Sequence, residues 1–307
     1  MQPLVELPRD DAPHYSEPVE WWYWHGHLRT PEQRWFAWYL SVFRLFEFGR
    51  ARLLVHHAVV DVDAGRTWRA TQSARRGVKM TQASFQMAVD PFTASACDGV
   101  DQLAAATAQT RLELTAQATR PPVLHHGNGR TDYEVGGYTF YCSRTHMQTQ
   151  GTLQLQGEDL AVTGTTWFDH QWGRLGPQMA AGWDWFGIQL DDGRDVMLFF
   201  RHTLPGRAGV GATIMERDGT VRCLDGGPVT LRARGNWVSP HSGLTYAAGW
   251  DLCVDGLRLR VTPVCADQET LHEGMRYWEG AARVEGDATG RAFVELVGPS
   301  LTAVGSA

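Results

Sequence analysis

Two short segments concentrate side chains that could move a proton beside large aromatic rings: Glu20-Trp21-Trp22-Tyr23-Trp24-His25-Gly26-His27 and Trp167-Phe168-Asp169-His170-Gln171-Trp172-Gly173. Histidine titrates near neutrality, and a carboxyl buried among indoles has its pKa raised, so either can act as acid or base. His170, Trp172, Glu20 and Asp169 are therefore the catalytic candidates. Hydration of an alkene needs such a donor, surroundings that tolerate a cation, and an ordered water. Ring closure or isomerisation needs a pocket that folds the substrate and one donor to polarise a carbonyl. Indole faces suit both demands, because they line apolar pockets and attract positive charge. Trp22, Tyr23, Trp24, Trp183, Asp184, Trp185 and Phe199 are the substrate-binding candidates. The competing role for the 13 tryptophans is to fill a core.

The elements that must hold these residues read as strands. In extended backbone, Phe168, His170 and Trp172 share one face and Trp167, Asp169 and Gln171 the other; Glu20, Trp22 and Trp24 oppose Trp21, Tyr23, His25 and His27. Turn dipeptides recur at close spacing (Ala64-Gly65, Asp98-Gly99, Asn128-Gly129, Asp192-Gly193, Asp218-Gly219, Asp225-Gly226, Asp255-Gly256), each able to supply positive φ. Only a few stretches, such as Thr67–Val78 and Asp101–Gln109, could hold helical turns. Trp22-Tyr-Trp24-His-Gly26 recurs as Trp183-Asp-Trp185-Phe-Gly187. Each copy is followed by an apolar run ending in arginine, Trp38–Arg44 and Val196–Arg201. The repeat predicts an all-β chain of two tandem antiparallel barrels, 1–175 and 176–307.

Composition removes several classes of function. With 307 residues, 43% apolar and 20% charged, the chain can bury a sizeable core. A net charge of −6 gives no basic footprint for nucleic acid or anionic lipid. Lys79 is the single lysine, so Schiff-base or P-loop chemistry would rest on it alone. There is no G-x-S-x-G elbow, no P-loop and no H-E-x-x-H, and Gly209-Val-Gly211 lacks the third glycine of a dinucleotide fingerprint. His25-x-His27 could present two imidazoles to zinc, but no third ligand stands at recognisable spacing, so no metal and no cofactor are expected. Cys97, Cys142, Cys223, Cys253 and Cys265 show no C-x-x-C spacing and are expected to be buried reduced thiols. No apolar run approaches membrane-spanning length, and the start lacks the layout of a secretory signal, which points to the cytoplasm unless a signal has been removed.

The same segments carry a resemblance. Glu20-Trp-Trp-Tyr23 resembles the opening motif of the lipocalin-like family that includes carotenoid 1,2-hydratase (hydroxyneurosporene synthase). Trp167-Phe-Asp169-His170-Gln-Trp172-Gly173 resembles its central motif, and Gly182-Trp-Asp-Trp-Phe-Gly-Ile-Gln-Leu-Asp-Asp-Gly193 the segment that follows. Tyr277-Trp278-Glu279-Gly280 with Val294-Glu295-Leu296 is similar to its closing strand pair. Fungal lipocalin-like Diels–Alderases are distant relatives. The resemblance implies two lipocalin-like barrels with a ligand cavity at or near their interface, no metal, no organic cofactor, and acid–base roles for His170 and Trp172. It also implies a tyrosine and an aspartate on a later strand, placed at Asp195–His202, where this chain reads Met197-Leu-Phe-Phe-Arg-His202. The expected partner is a small hydrophobic unsaturated metabolite. A cyclase or isomerase, a hydratase, and a non-catalytic carrier of a lipid-like ligand all remain open.

Overall fold

A computed structural model describes residues 2–298 except 48–49, 76–77, 82–83, 134–135, 177–180, 203–206, 225 and 227–228; at 47, 78–81 and 207–210 it describes backbone alone. The Lys79 side chain and the Asp225 half of one expected turn thus lie outside the described residues. The chain divides into two compact units, Met1–Gly176 and Pro177–Ala307.

The first unit contains β1 (Val19–Arg29), β2 (Trp35–Glu47), β3 (Arg50–Asp61), β4 (Arg66–Ala74), β5 (Val78–Thr81), β6 (Ser84–Val89) and β7 (Phe92–Cys97). It continues with β8 (Val100–Ala106), β9 (Thr110–Ala118), β10 (Val123–Leu124), β11 (Arg130–Asp132), β12 (Gly137–Leu155) and β13 (Glu158–Leu175). The second contains β14 (Trp183–Leu190), β15 (Asp195–His202), β16 (Arg207–Met215), β17 (Val221–Cys223), β18 (Val229–Ala233) and β19 (Asn236–Val238). After these come β20 (Thr245–Ala247), β21 (Trp250–Val254), β22 (Leu257–Pro263), β23 (Glu269–His272), β24 (Met275–Gly286) and β25 (Gly290–Val297). Each unit is built on one large curled antiparallel sheet, a near-barrel of the lipocalin-like kind. No described helix is long and apolar enough to cross a membrane.

The sheet orders explain the internal repeat. They run β4-β3-β2-β1-β13-β12-β9 in the first unit and β17-β16-β15-β14-β25-β24-β22 in the second. Each Trp-x-Trp-x-Gly strand therefore lies between the strand that follows it and the last strand of its unit. The arginines do not correspond: Arg44 stands opposite Glu20, whereas Arg201 stands opposite Trp183. Gly26 is required by the β1–β13 approach, since a Cβ there would lie 2.2 Å from the Thr165 carbonyl oxygen.

The two stretches that could have held helical turns are mostly strand, residues 76–77 of the first lying outside the described residues and 107–109 of the second joining β8 to β9. Residues 66–74 form β4 and residues 100–106 form β8, in which Asp101, Leu103 and Ala105 point inward. Alternation along β9 is clean, with Thr110, Leu112, Leu114 and Ala116 buried and their neighbours exposed. In contrast, β1, β3, β14 and β15 are buried on both faces over most of their length. Their second face is no solvated cover: His25 and His27 are buried. Of the five free thiols, Cys142 alone is fully buried and Cys97 is exposed, contrary to the expectation of five buried ones.

Both interiors are packed. Trp22, Trp24, Trp38, Phe36, Phe85 and Phe168 share the first core. Phe186, Trp250 and Trp278 anchor the second. Fully burying an apolar side chain contributes roughly 1.5–3 kcal/mol, so each tryptophan here has a structural reason to be present.

Candidate functional site

The inner face of β1 and β13 brings Glu20, Trp22, Trp24, Phe168, His170 and Trp172 together. The register sets Glu20 opposite Trp172 and Trp22 opposite His170, with Arg44 of β2 on the other side of Glu20. Glu20 is completely buried and fully engaged. Its Oε1 accepts from His170 Nε2 at 3.0 Å and His14 Nδ1 at 2.8 Å, and its Oε2 accepts from Arg44 Nε at 3.0 Å. The backbone N–H of His14 donates to both oxygens at 3.0 Å. Arg44 Nη2 also donates to the carbonyls of His14 and Glu17 at 2.7 and 2.8 Å. The rings stack around this knot: His14 lies flat on Trp172 at 3.9 Å, and Trp22 lies on His170 at 4.8 Å.

His14 reaches the knot because the leading segment packs against β12 and β13. Val5 packs with Cys142 and Trp172, and Asp11 takes two 2.6 Å bonds from Arg144 Nη2. Burial works to raise the Glu20 carboxyl, but the bonds from His14 and His170 outweigh it and hold it down to about 2. Burial lowers the His170 imidazole, and its Nδ1 has no hydrogen-bond partner. Burial also opposes charge on His14, yet Asp10 and Glu20 leave that ring raised.

Among the described residues, His14, Glu20 and His170 are the group whose ligand atoms lie close enough, within 4.8 Å, to hold a metal ion. These atoms already serve one another as hydrogen-bond partners, and the Arg44 guanidinium on the same carboxylate opposes a cation. Shared protons fit the group better than a metal does.

Asp169 is on the opposite face, because alternation turns it away from His170. It stands between Tyr23 of β1 and Ser143 of β12. Tyr141 Oη donates to its Oδ2 at 2.7 Å, Trp167 Nε1 donates to Oδ1 at 2.6 Å, and Ser143 Oγ also bonds Oδ1. His125 Nε2 bonds Ser143 Oγ at 2.7 Å, and its ring lies 4.0 Å from that of Tyr141. Burial pushes the Asp169 carboxyl up to about 6, against the pull of its three donors. Its titration therefore lies far closer to neutral pH than that of an exposed aspartate.

The substrate-binding candidates divide in the same way. Trp22 and Trp24 are core residues with no exposure, while Tyr23 lies on the face of Asp169. Asp184 points into the second core, where His202 Nε2 bonds it at 2.9 Å. Trp183 and Trp185 take the other face of β14, with Phe199 directly opposite Trp185. His14, Arg44, Tyr141, Ser143 and His125 were not among the candidates. His14 sits in an irregular segment and His125 in a short 3-10 turn, with no period-two pattern to mark either.

A profile of the AttH-like family matches residues 2–299. The chain belongs to the AttH-like family. A search of curated proteins with the sequence gives no match. Among solved structures, a Nitrosomonas europaea protein assigned as an AttH is 27% identical, with a TM-score of 0.87 over 97% of this chain and 99% of that one. Kievitone hydratase from Nectria haematococca is 16% identical, with a TM-score of 0.82 over 97% and 93%. CghA with Sch210972 is 12% identical, with a TM-score of 0.60 over 92% and 89%. These neighbours agree with the lipocalin-like resemblance carried by the sequence motifs, and AttH-like membership extends it over nearly the whole chain.

Proposed function

We propose that this AttH-like protein is a cofactor-free enzyme of the lyase or isomerase kind. Its substrate is an unsaturated, mostly apolar metabolite of polyketide or terpenoid type, and Asp169 is the group that moves a proton. The observation that carries this reading is the buried Asp169 carboxyl, poised at about 6 on the face it shares with Tyr23 and Tyr141. An acid that must give up a proton and take one back works best with its pKa near the ambient pH. Protonated Asp169 donates to an alkene carbon or a carbonyl oxygen, and Tyr141, Ser143 and Trp167 stabilise the carboxylate that results. Aromatic faces on Tyr23 and Trp167 favour the positive charge left on the substrate. Return of a proton from a neighbouring carbon to Asp169 completes an isomerisation or ring closure. Addition of water completes a hydration, and this alternative is supported by the fold shared with kievitone hydratase. Tyr23, on the face of Asp169, is the proposed contact for the substrate's apolar part.

In this reading the Glu20 knot is a scaffold. An ionised carboxylate with no exposure, bonded by three side chains, holds β1, β2, β13 and the leading segment together.

The test is comparative metabolite profiling of apolar extracts incubated with wild type or Asp169→Asn in heavy water. A product of unchanged composition carrying one solvent deuterium indicates isomerisation or acid-assisted ring closure, and a product one water heavier indicates hydration. Both must vanish with Asp169→Asn. Conversion that survives the substitution overturns the proton role. Recovery of a bound ligand chemically unchanged by wild type makes the protein a carrier.

A further inference from the structure

Three arginines are buried among the described residues: Arg44, Arg144 and Arg201. Two of them have carboxylate partners, Glu20 for Arg44 and Asp11 for Arg144. Arg201 does not. It is 6% exposed, its Nη1 is enclosed without a hydrogen-bond partner, and it forms no ion pair with any described carboxylate.

Its surroundings are apolar and aromatic. Arg201 lies on the face of β15 turned away from the second core, opposite Trp183 of β14, and Phe199 two residues before it lies opposite Trp185. On the far side of Phe199, β16 offers only Gly211. Acidic residues on this face include Glu295, opposite Trp185, Glu279, opposite Glu295, and Asp195 at the far end of β15, opposite Gln189 and six positions before Arg201. Glu295 Oε2 is engaged by Trp183 Nε1 at 3.1 Å. A guanidinium stays charged at any accessible pH, and enclosing it without a counter-charge is unfavourable unless something arrives to meet it. Its planar fork matches two oxygens of one anionic group.

We infer that Arg201 anchors an anionic oxygen pair, a carboxylate or the enolate of a 1,3-dicarbonyl, borne by an otherwise apolar ligand that lies along Trp185 and Phe199. Arg201, Trp185 and Phe199 are all residues of the second unit, and the inference does not require Asp169 to be catalytic.

The experiment compares cis-parinaric acid with its methyl ester at pH 7.5, following tryptophan fluorescence. The two share one polyene chain and differ in charge. A bond between charged groups predicts that wild type prefers the acid by about tenfold or more. Arg201→Met, which keeps the stem and removes the fork, should bring acid and ester to within about twofold by the same argument. Arg201→Lys, a point charge without the fork, should fall between them, and circular dichroism of both variants should match wild type. Asp169→Asn should leave the preference unchanged, so loss of catalysis and loss of this anchor are separable. Absence of acid binding by wild type, equal binding of acid and ester, or an acid preference that survives in Arg201→Met overturns the inference.

Discussion

His170 and Glu20 meet inside the first barrel, Nε2 to Oε1 at 3.0 Å, although 150 positions separate them in the chain. The pairing depends on β1 lying directly against β13, and neither side chain has any exposure. The adjacent residue Asp169 looks the other way, so one dipeptide serves the core with one side chain and the candidate chemistry with the other.

Replacing Glu20 by Gln should be a stability defect before it is anything else. The substitution leaves Arg44 buried without its counter-charge, and breaking a buried pair from one side costs about 3–5 kcal/mol. Chemical denaturation at pH 7 should show that loss. The folded-state pKa of Glu20 is depressed, so its contribution is present above the ordinary carboxylate range and is lost as pH falls through about 2. Wild type should therefore weaken more steeply than Glu20→Gln between about pH 5 and 2.

Tyr141→Phe removes a donor that favours ionised Asp169. The Asp169 pKa should rise, by about half a unit to one unit for one lost hydrogen bond. In the proposed reaction the corresponding limb of the pH–rate profile moves to higher pH by the same amount. A profile that does not move would separate Asp169 from the observed titration.

Asp101 offers a test of opposite sign to Glu20. Burial lifts its carboxyl to about 7, against Arg144 and the 2.6 Å bond from Trp24 Nε1. A raised acid contributes most below the ordinary carboxylate range, and that stability is lost as pH rises through the folded value. Asp101→Asn keeps an acceptor for Trp24 and should stabilise the protein at pH 8.5 relative to wild type, on the order of 2 kcal/mol, with little gain at pH 5. Urea midpoints at the two pH values decide it.

Gly26→Ala should disrupt the first unit. The added methyl would sit 2.2 Å from a backbone oxygen on β13, where no flexible side chain can give way. A loss above about 3 kcal/mol is expected from strain of this kind, read as a fall in Tm or as insoluble protein.

The strands and the repeat were legible because alternation and turn dipeptides act locally. The helical expectation at Asp101–Gln109 failed for a physical reason: Ala104-Ala105-Ala106 places the same small side chain on both faces, so period-two patterning disappears from the letters. Alternation did separate His170 from Asp169 and Trp22 from Tyr23. It could not show that the second face of β1 and β13 is buried too, because burial on both sides is a tertiary property. The partners of Glu20 were out of reach for a related reason. His14 arrives on the leading segment, which packs against β12 and β13, and Arg44 lay in the sequence as the end of an apolar run.

In each unit the opening strand lies against the closing one, β1 on β13 and β14 on β25. During synthesis, β1 can form its hairpin with β2 early, but its other edge must wait until residues 163–173 have left the ribosome. The half-formed sheet meanwhile presents an unpaired edge rich in tryptophan, the kind of species that aggregates or recruits chaperones. Slow folding dominated by long-range contacts follows from that order of events, and the yield of folded protein should rise when a chaperone that shields apolar edges is co-expressed.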